Sequence, residues 1–401
     1  MKMKTKSMLK KTVLAFVAAL PFYIVSSVFI NSVAQARPNA ASCPAGHTIS
    51  KTFSSGAAWD MCWEVRDEEG MVLSEIHYKA VGKPRRRVLG EASLSQIQTE
   101  YDDGSPGEFL VTGQGLGGSH LQTLNSAMCD GQLHKDAGRN VICEAYGPAG
   151  YIYRYKNSTR RQGSKLDVYS VSAVGAREYI VRWTFLENGT MEPAVGLTGQ
   201  FTKTTTDAKA GWQVTSQNKL AASFVNHYFW RLDFDIAADS GNDILEEIKS
   251  VPSSTRLTKT KQTRTVSSES AESFAPAEKK FWRIRDGSVK NASGRPISYE
   301  MVMLNYAEQN KGNSASSWLK NDVFFTRYNT CERFAVDNPT NNCGANVSEF
   351  VNSESTNAKD VVVWYRLTHH ILPRDEDFSP AAPQWSTFIL LPRDWTSTTR
   401  L

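Results

Sequence analysis

Seven histidines are spread over 401 residues, so imidazole chemistry has few places to sit. The densest lies in "VVVWYRLTHHILPRDEDF", residues 361–378, where His369 and His370 are followed by Asp375, Glu376 and Asp377. Imidazole nitrogens suit a transition metal. The valines and aromatic residues that precede the pair read as a buried strand. Neighbouring side chains on a strand point to opposite faces. His369 and His370 therefore do not converge on one ion, and the simpler reading is a strand end that carries two histidines. His227, in "FVNHYFWRLDFDI", reads as a packed or rim histidine. A metal site drawn from His227, His369 and His370 is the remaining alternative.

Other stretches invite chemical readings. Asp102 and Asp103 in "YDDGSPG" could supply a base, but the glycine and proline around them read as an exposed turn. "GQGLGG" (Gly113, Gly115, Gly118) fits the dinucleotide pattern, which also needs a following helix and an acid about twenty positions on. The next residues, "SHLQTLNSAMCDG", are not a crossover helix, so a glycine-rich turn is the better reading. The six cysteines form three local sets: Cys43 with Cys62, Cys129 with Cys143, and Cys331 with Cys343. An even, locally paired set without Cys-x-x-Cys reads as disulfides of an exported chain, not as a zinc or thiol-redox site.

The elements that must position these residues are strands. Short apolar segments such as "GMVLSEIHY", "YIVRWTFLENGTMEPAVGL", "PISYEMVML" and "WSTFILLP" alternate with Gly and Asn turns. That rhythm predicts an all-β, large antiparallel sandwich, with "ENGT" as a hairpin turn. The segment "GNDILEEIKS", residues 241–250, reads as a short helix. Residues 37–60 read as a polar lead-in, 61–395 as the β-sandwich domain, and the Ser-, Thr- and Lys-rich stretch 252–280 as an exposed loop. There is no internal repeat.

Charge and export belong together. Lys2, Lys4, Lys6, Lys10 and Lys11 lie in an acid-free start; set aside, they leave a body whose basic residues balance its 41 acidic ones. Nothing asks for nucleic acid. The basic start, the run "TVLAFVAALPFYIVSSVFI" and the small residues Ala34 and Ala36 read as a signal peptide, residues 1–36, cleaved to leave Arg37 first. The expected location is secreted or periplasmic, with no membrane span after removal; an uncleaved anchor is the rival reading.

Read in order, "GMVLSEIHYKAVGKPRRRVLGEASLSQIQTEY", "FLVTGQGLGG", "NVICEAYG", "EYIVRWTFLENGTMEPAVGLTGQF", "FWRLDFDIAADSGNDILEE", "FFTRYNTCERFAV" and "KDVVVWYRLTHHILPRDEDF" resemble the C-terminal catalytic domain of the copper-containing amine oxidases. The resemblance is collinear over roughly residues 60–395, and the smaller N-terminal domains of that family are not matched. It implies a β-sandwich in a homodimer, a copper ion on three histidines, and a quinone cofactor made from a tyrosine of the chain. It also implies oxidation of primary amines by O2 to aldehyde, ammonia and hydrogen peroxide, with an aspartate as base. The family's disulfide falls on Cys129 and Cys143.

Residue by residue, the chemistry implied by the resemblance is interrupted. The cofactor motif matches "GAREYIVRW", where Ala176 stands for the asparagine and Arg177 for the precursor tyrosine; Tyr179 matches the second tyrosine of the motif. The base position falls on Leu110. The paired copper histidines fall on Phe224 and Asn226, with His227 one residue out of step, and the third copper histidine matches His370. The expectation is an exported, non-catalytic member with no cofactor, binding a small amine or a protein ligand. The alternative is an active copper and quinone oxidase that uses Tyr179 as cofactor and Asp102 or Asp103 as base.

Overall fold

A computed structural model of the protein describes residues 43–398, apart from 156–158, 202, 215–217, 238–239, 256, 306–315, 340–342 and 379. The expected signal peptide, residues 1–36, lies outside the described residues. Among the described residues no helix is long and apolar enough to cross a membrane.

Two large antiparallel sheets carry the molecule, as the alternation of short strands and turns predicts. The nine-stranded sheet is centred on Phe224–Ala237, which pairs with Arg85–Tyr101 on one side and Val361–Ile371 on the other. In the ten-stranded sheet, Arg177–Leu186 lies between Thr159–Val174 and Met191–Gly199. Trp183 of the second sheet meets Trp230 of the first edge to face at 5.4 Å, and Tyr365 of the first stacks on Phe388 of the second at 4.0 Å. Each such side chain contributes roughly 1.5–3 kcal/mol by leaving water.

Phe224–Ala237 is buried on both faces almost throughout, so its polar residues Asn226, His227, Arg231, Asp233 and Asp235 are buried along with its apolar ones. Its inward residues join the main core, whereas Phe229 packs outward with Leu319, Phe324, Phe350 and Trp364 in a second cluster. This strand can therefore present different chemistry to two buried layers.

The "ENGT" hairpin forms as expected. Gly189 has φ +93°, and the Asn188 side chain accepts from the Thr190 amide at 3.0 Å. "GQGLGG" is a loop after the short helix Leu110–Gly113; Leu116 and Gly117 donate to the carbonyls of Glu68 and Asp67. All three cysteine pairs are disulfides: Cys43–Cys62, Cys129–Cys143 and Cys331–Cys343.

Three expectations about elements are corrected. "GNDILEEIKS" is not a helix: Asp243–Pro252 is a strand between Lys259–Thr265 and Phe281–Lys290. Glu246 and Glu247, which made it look helical, reach across to Arg283 and Arg285, and to Arg264 and Lys280. Sheet pairing overrides weak local propensity. Residues 37–60 are not wholly a lead-in, because Thr48–Thr52 and Ala58–Arg66 begin the first sheet and bury Ile49 and Trp59. The stretch 252–280 is only partly a loop. Lys259–Thr265 is an exposed edge strand of one sheet, and Ser270–Glu272 pairs with Val323–Arg327 in the other.

Candidate functional site

The site lies where the N-terminal end of Arg177–Leu186 faces the start of Phe224–Ala237. Residues two apart on a strand share a face, so Phe224, Asn226 and Tyr228 look inward together. The Asn226 amide donates to the Tyr228 hydroxyl at 3.1 Å, and its carbonyl accepts from Thr99 Oγ1 at 2.7 Å. Tyr179, from the opposite sheet, is fully buried beside Asn226 and Thr99. Burial pushes its hydroxyl up to about 12, against the pull of Arg177.

Arg177 stands at the mouth of this arrangement. Its Nη2 donates to Glu108 Oε2 at 2.8 Å, its guanidinium carbon lies 5.5 Å from the centre of the Phe224 ring, and the side chain is 13% exposed. Tyr101 donates to the other Glu108 oxygen at 2.8 Å. Burial opposes the charge of Arg177, but Tyr179, Tyr101 and Glu108 outweigh it, and the net shift is upward. Arg177 Nη1 is buried and has no hydrogen-bond partner among the described residues.

A cleft of about 630 Å³ opens here, with Tyr101, Glu108, Arg177, Phe201, Lys203 and Phe224 in its wall. A second cleft, of about 510 Å³, includes Glu100 and Asp102 and shares Tyr101 and Glu108 with the first.

The expected site residues are not all brought together. Leu110 is fully buried in the core and lines neither cleft; the acid beside Arg177 is Glu108, two residues earlier. Asp103 caps its own turn, accepting from the Ser105 amide at 3.0 Å, and the Ser105 hydrogen bonds hold its carboxyl below the usual range. Asp102 binds the Ser223 hydroxyl and sits 2.7 Å from His370 Nε2.

The histidines separate by face. His227 points outward, away from Asn226, as a one-residue step requires. It is fully buried, with Nδ1 3.2 Å from both Thr368 Oγ1 and Arg366 Nη1, and Nε2 3.5 Å from Glu100. Burial, with Arg366 next to it, lowers its pKa, so the neutral ring is favoured. In the strand register His369 lies opposite Asn226 and His370 opposite Val225. Directly opposed residues share a face, so the histidine on the inward face is His369, not His370 as the sequence match suggests. The two are one residue apart, which is the smallest alignment error and also the one that reverses a face. Among the described residues no three His, Cys, Asp or Glu side chains are grouped to hold a metal ion.

Elsewhere Asp233, Asp235, Asp243 and Asp360 form a buried acidic group. Burial, then repulsion from Asp233, pushes Asp360 up to about 9. Burial, then Asp235 and Asp360, raise Asp243 as well. Sequence reasoning missed this group because its members come from three separate strands or strand ends. It missed Glu108 and Tyr101 for the same reason, although an acid just before Leu110 was a usable signal.

Residues 118–400 match the family described as copper amine oxidase, enzyme domain, and the chain belongs to that family. It is 25% identical over 387 residues to the histamine oxidase of Arthrobacter globiformis, covering 86% of this chain and 56% of that protein. It is 22% identical over 388 residues to the copper methylamine oxidase of Arthrobacter sp. (strain P1), covering 87% and 59%. The chain thus spans just over half the length of these relatives. Among solved structures, the copper-containing benzylamine oxidase from Hansenula polymorpha superposes with a TM-score of 0.74 at 16% identity, over 88% of this chain and 61% of that one. The Aspergillus nidulans amine oxidase superposes with a TM-score of 0.69 at 18% identity, over 86% and 52%.

Copper held by three imidazoles does not fit the residues at the matching positions. Phe224 has no donor atom, the Asn226 amide is engaged by Thr99 and Tyr228, and His227 faces the other layer.

Proposed function

We propose that this chain is an exported amine-oxidase-like scaffold that has exchanged amine oxidation for binding or assembly, as a homodimer. The observation that carries the reading is Arg177, matched by sequence to the quinone precursor and ion-paired to Glu108 beside Phe224. A guanidinium cannot be oxidised to a quinone. Leu110, at the position of the base, cannot accept a proton. Imidazole is the donor that suits copper here, and Phe224 and Asn226 do not supply it. Each change removes a separate requirement of the reaction. No copper and no quinone are expected in the mature protein, whose first residue is Arg37.

The competing reading is an active oxidase with Tyr179 as quinone precursor and Asp102 or Asp103 as base. It asks a fully buried tyrosine to meet both substrate and oxygen, and it asks Asp102 to leave Ser223 and His370. The test is the visible spectrum of the copper-exposed mature protein, together with peroxide release on a simple primary amine. A colourless protein that releases no peroxide is expected, and Arg177→Tyr is expected not to restore activity. Amine-dependent peroxide that disappears on chelation would overturn the proposal and establish the oxidase.

A further inference from the structure

Given that non-catalytic reading, the composition of the clefts narrows the ligand. A simple amine gains from an anion in the wall and nothing from a cation. The larger cleft presents Arg177 and Lys203 together with Glu108. Lys203 is exposed, lies 4.7 Å from the centre of the Tyr101 ring, and has no ion-pair partner among the described residues. Asp103 acts on it from the rim.

Arg177 and Glu108 are in contact at 2.8 Å. A ligand that engages both must carry opposite charges close together, and an α-amino acid has them on two groups bonded to the same carbon. Its carboxylate would meet Lys203 and Arg177, the two cations in the wall of this cleft. Its ammonium would meet Glu108, the acid in the wall of this cleft. Both charges of such a ligand lose water on entering, and that cost is offset only where each meets an opposite charge.

The rest of the wall selects the side chain. Phe201 and Phe224 meet edge to face at 5.8 Å, and Tyr101 lies 5.9 Å from Phe224. An aromatic ring seated on this group gains from the same geometry. The cleft volume falls within the usual range for small-molecule sites, about 300–1,000 Å³.

We propose that the cleft formed by Arg177, Glu108, Lys203, Phe201 and Phe224 binds a free α-amino acid with an aromatic side chain. The carboxylate is held by the two cations and the ammonium by Glu108.

Calorimetric titration of the mature protein with three probes tests this. L-Phenylalanine carries both charges, phenethylamine lacks the carboxylate, and hydrocinnamate lacks the ammonium. Phenylalanine is expected to bind at least about tenfold more tightly than either of the others. Lys203→Ala, at an exposed position that does not threaten the fold, should weaken phenylalanine and hydrocinnamate but not phenethylamine. Arg177→Gln should do the same more strongly, and Glu108→Gln should weaken phenylalanine and phenethylamine. Phenethylamine binding as tightly as phenylalanine, or no heat from any probe, would overturn the inference. Peroxide release from phenethylamine in the same samples would instead overturn the non-catalytic reading, so the two failures are separable.

Discussion

Arg177 and His369 show what single residues can and cannot reveal. Arg177 is legible: its type alone excludes a quinone, whatever surrounds it. Its partner was not, since Glu108 lies far away in the chain and reaches it only because the two sheets close on each other. His369 is the opposite case, where the residue type is informative and the face is decided by pairing with Asn226. Arg366 offers a test at this scale. It is fully buried, 2.8 Å from Asp322, and donates also to Thr368 Oγ1 and the Asn321 carbonyl. Removing one partner of a buried pair leaves the other charge without compensation and costs about 3–5 kcal/mol. Arg366→Met should lose that much in urea unfolding, and adding Asp322→Asn should recover part of it. A loss below about 1 kcal/mol would mean that Asp322 finds water or another donor once Arg366 is gone.

At the scale of elements, the hairpin between Arg177–Leu186 and Met191–Gly199 sets the register that brings Arg177 and Tyr179 to the site. Its turn is specified locally: Gly189 takes a positive φ, and a Cβ there would stand 2.7 Å from the Tyr78 ring. Gly189→Ala meets both penalties and should destabilise by more than about 1 kcal/mol in thermal unfolding. Asn188→Ala, which loses only the bond to the Thr190 amide, should cost less than that. Equal losses would place the strain outside Gly189. The strand Asp243–Pro252 shows where element reading fails. Its two glutamates and spaced isoleucines match a helix as well as a strand, and only the cations on the neighbouring strands decide between them.

At the scale of the whole molecule, the buried acidic group links folding to pH. Asp360 is pushed up to about 9 and Glu332 to about 8, each first by burial and then by an acidic neighbour. Both are raised acids, so the folded chain keeps protons that the unfolded chain has released. Their contribution is complete below the unfolded carboxylate values of about 4 and is lost as pH rises toward the folded values. The melting temperature should therefore fall between about pH 5 and pH 9, and Asp360→Asn should flatten that fall. An Asp360→Asn protein with the same slope as the unmodified chain would show that this group does not govern it.

The all-β class, the three disulfides, the hairpin at Asn188-Gly189 and the family were all legible in the order and types of the residues. The first three rest on local spacing or residue type and need no distant partner; the family rests on the order of several segments along the chain. Residue type alone also means that Arg177 cannot itself become a quinone, Leu110 cannot accept a proton and Phe224 offers no donor to a metal. Which histidine faces inward, which acid meets Arg177 and the sharing of Glu108 by two clefts emerge only once the sheets are assembled. Those facts depend on strand register and on the closure of one sheet over the other. A one-residue step reverses a side chain, and residues far apart in the chain become neighbours only when the core excludes water between the sheets.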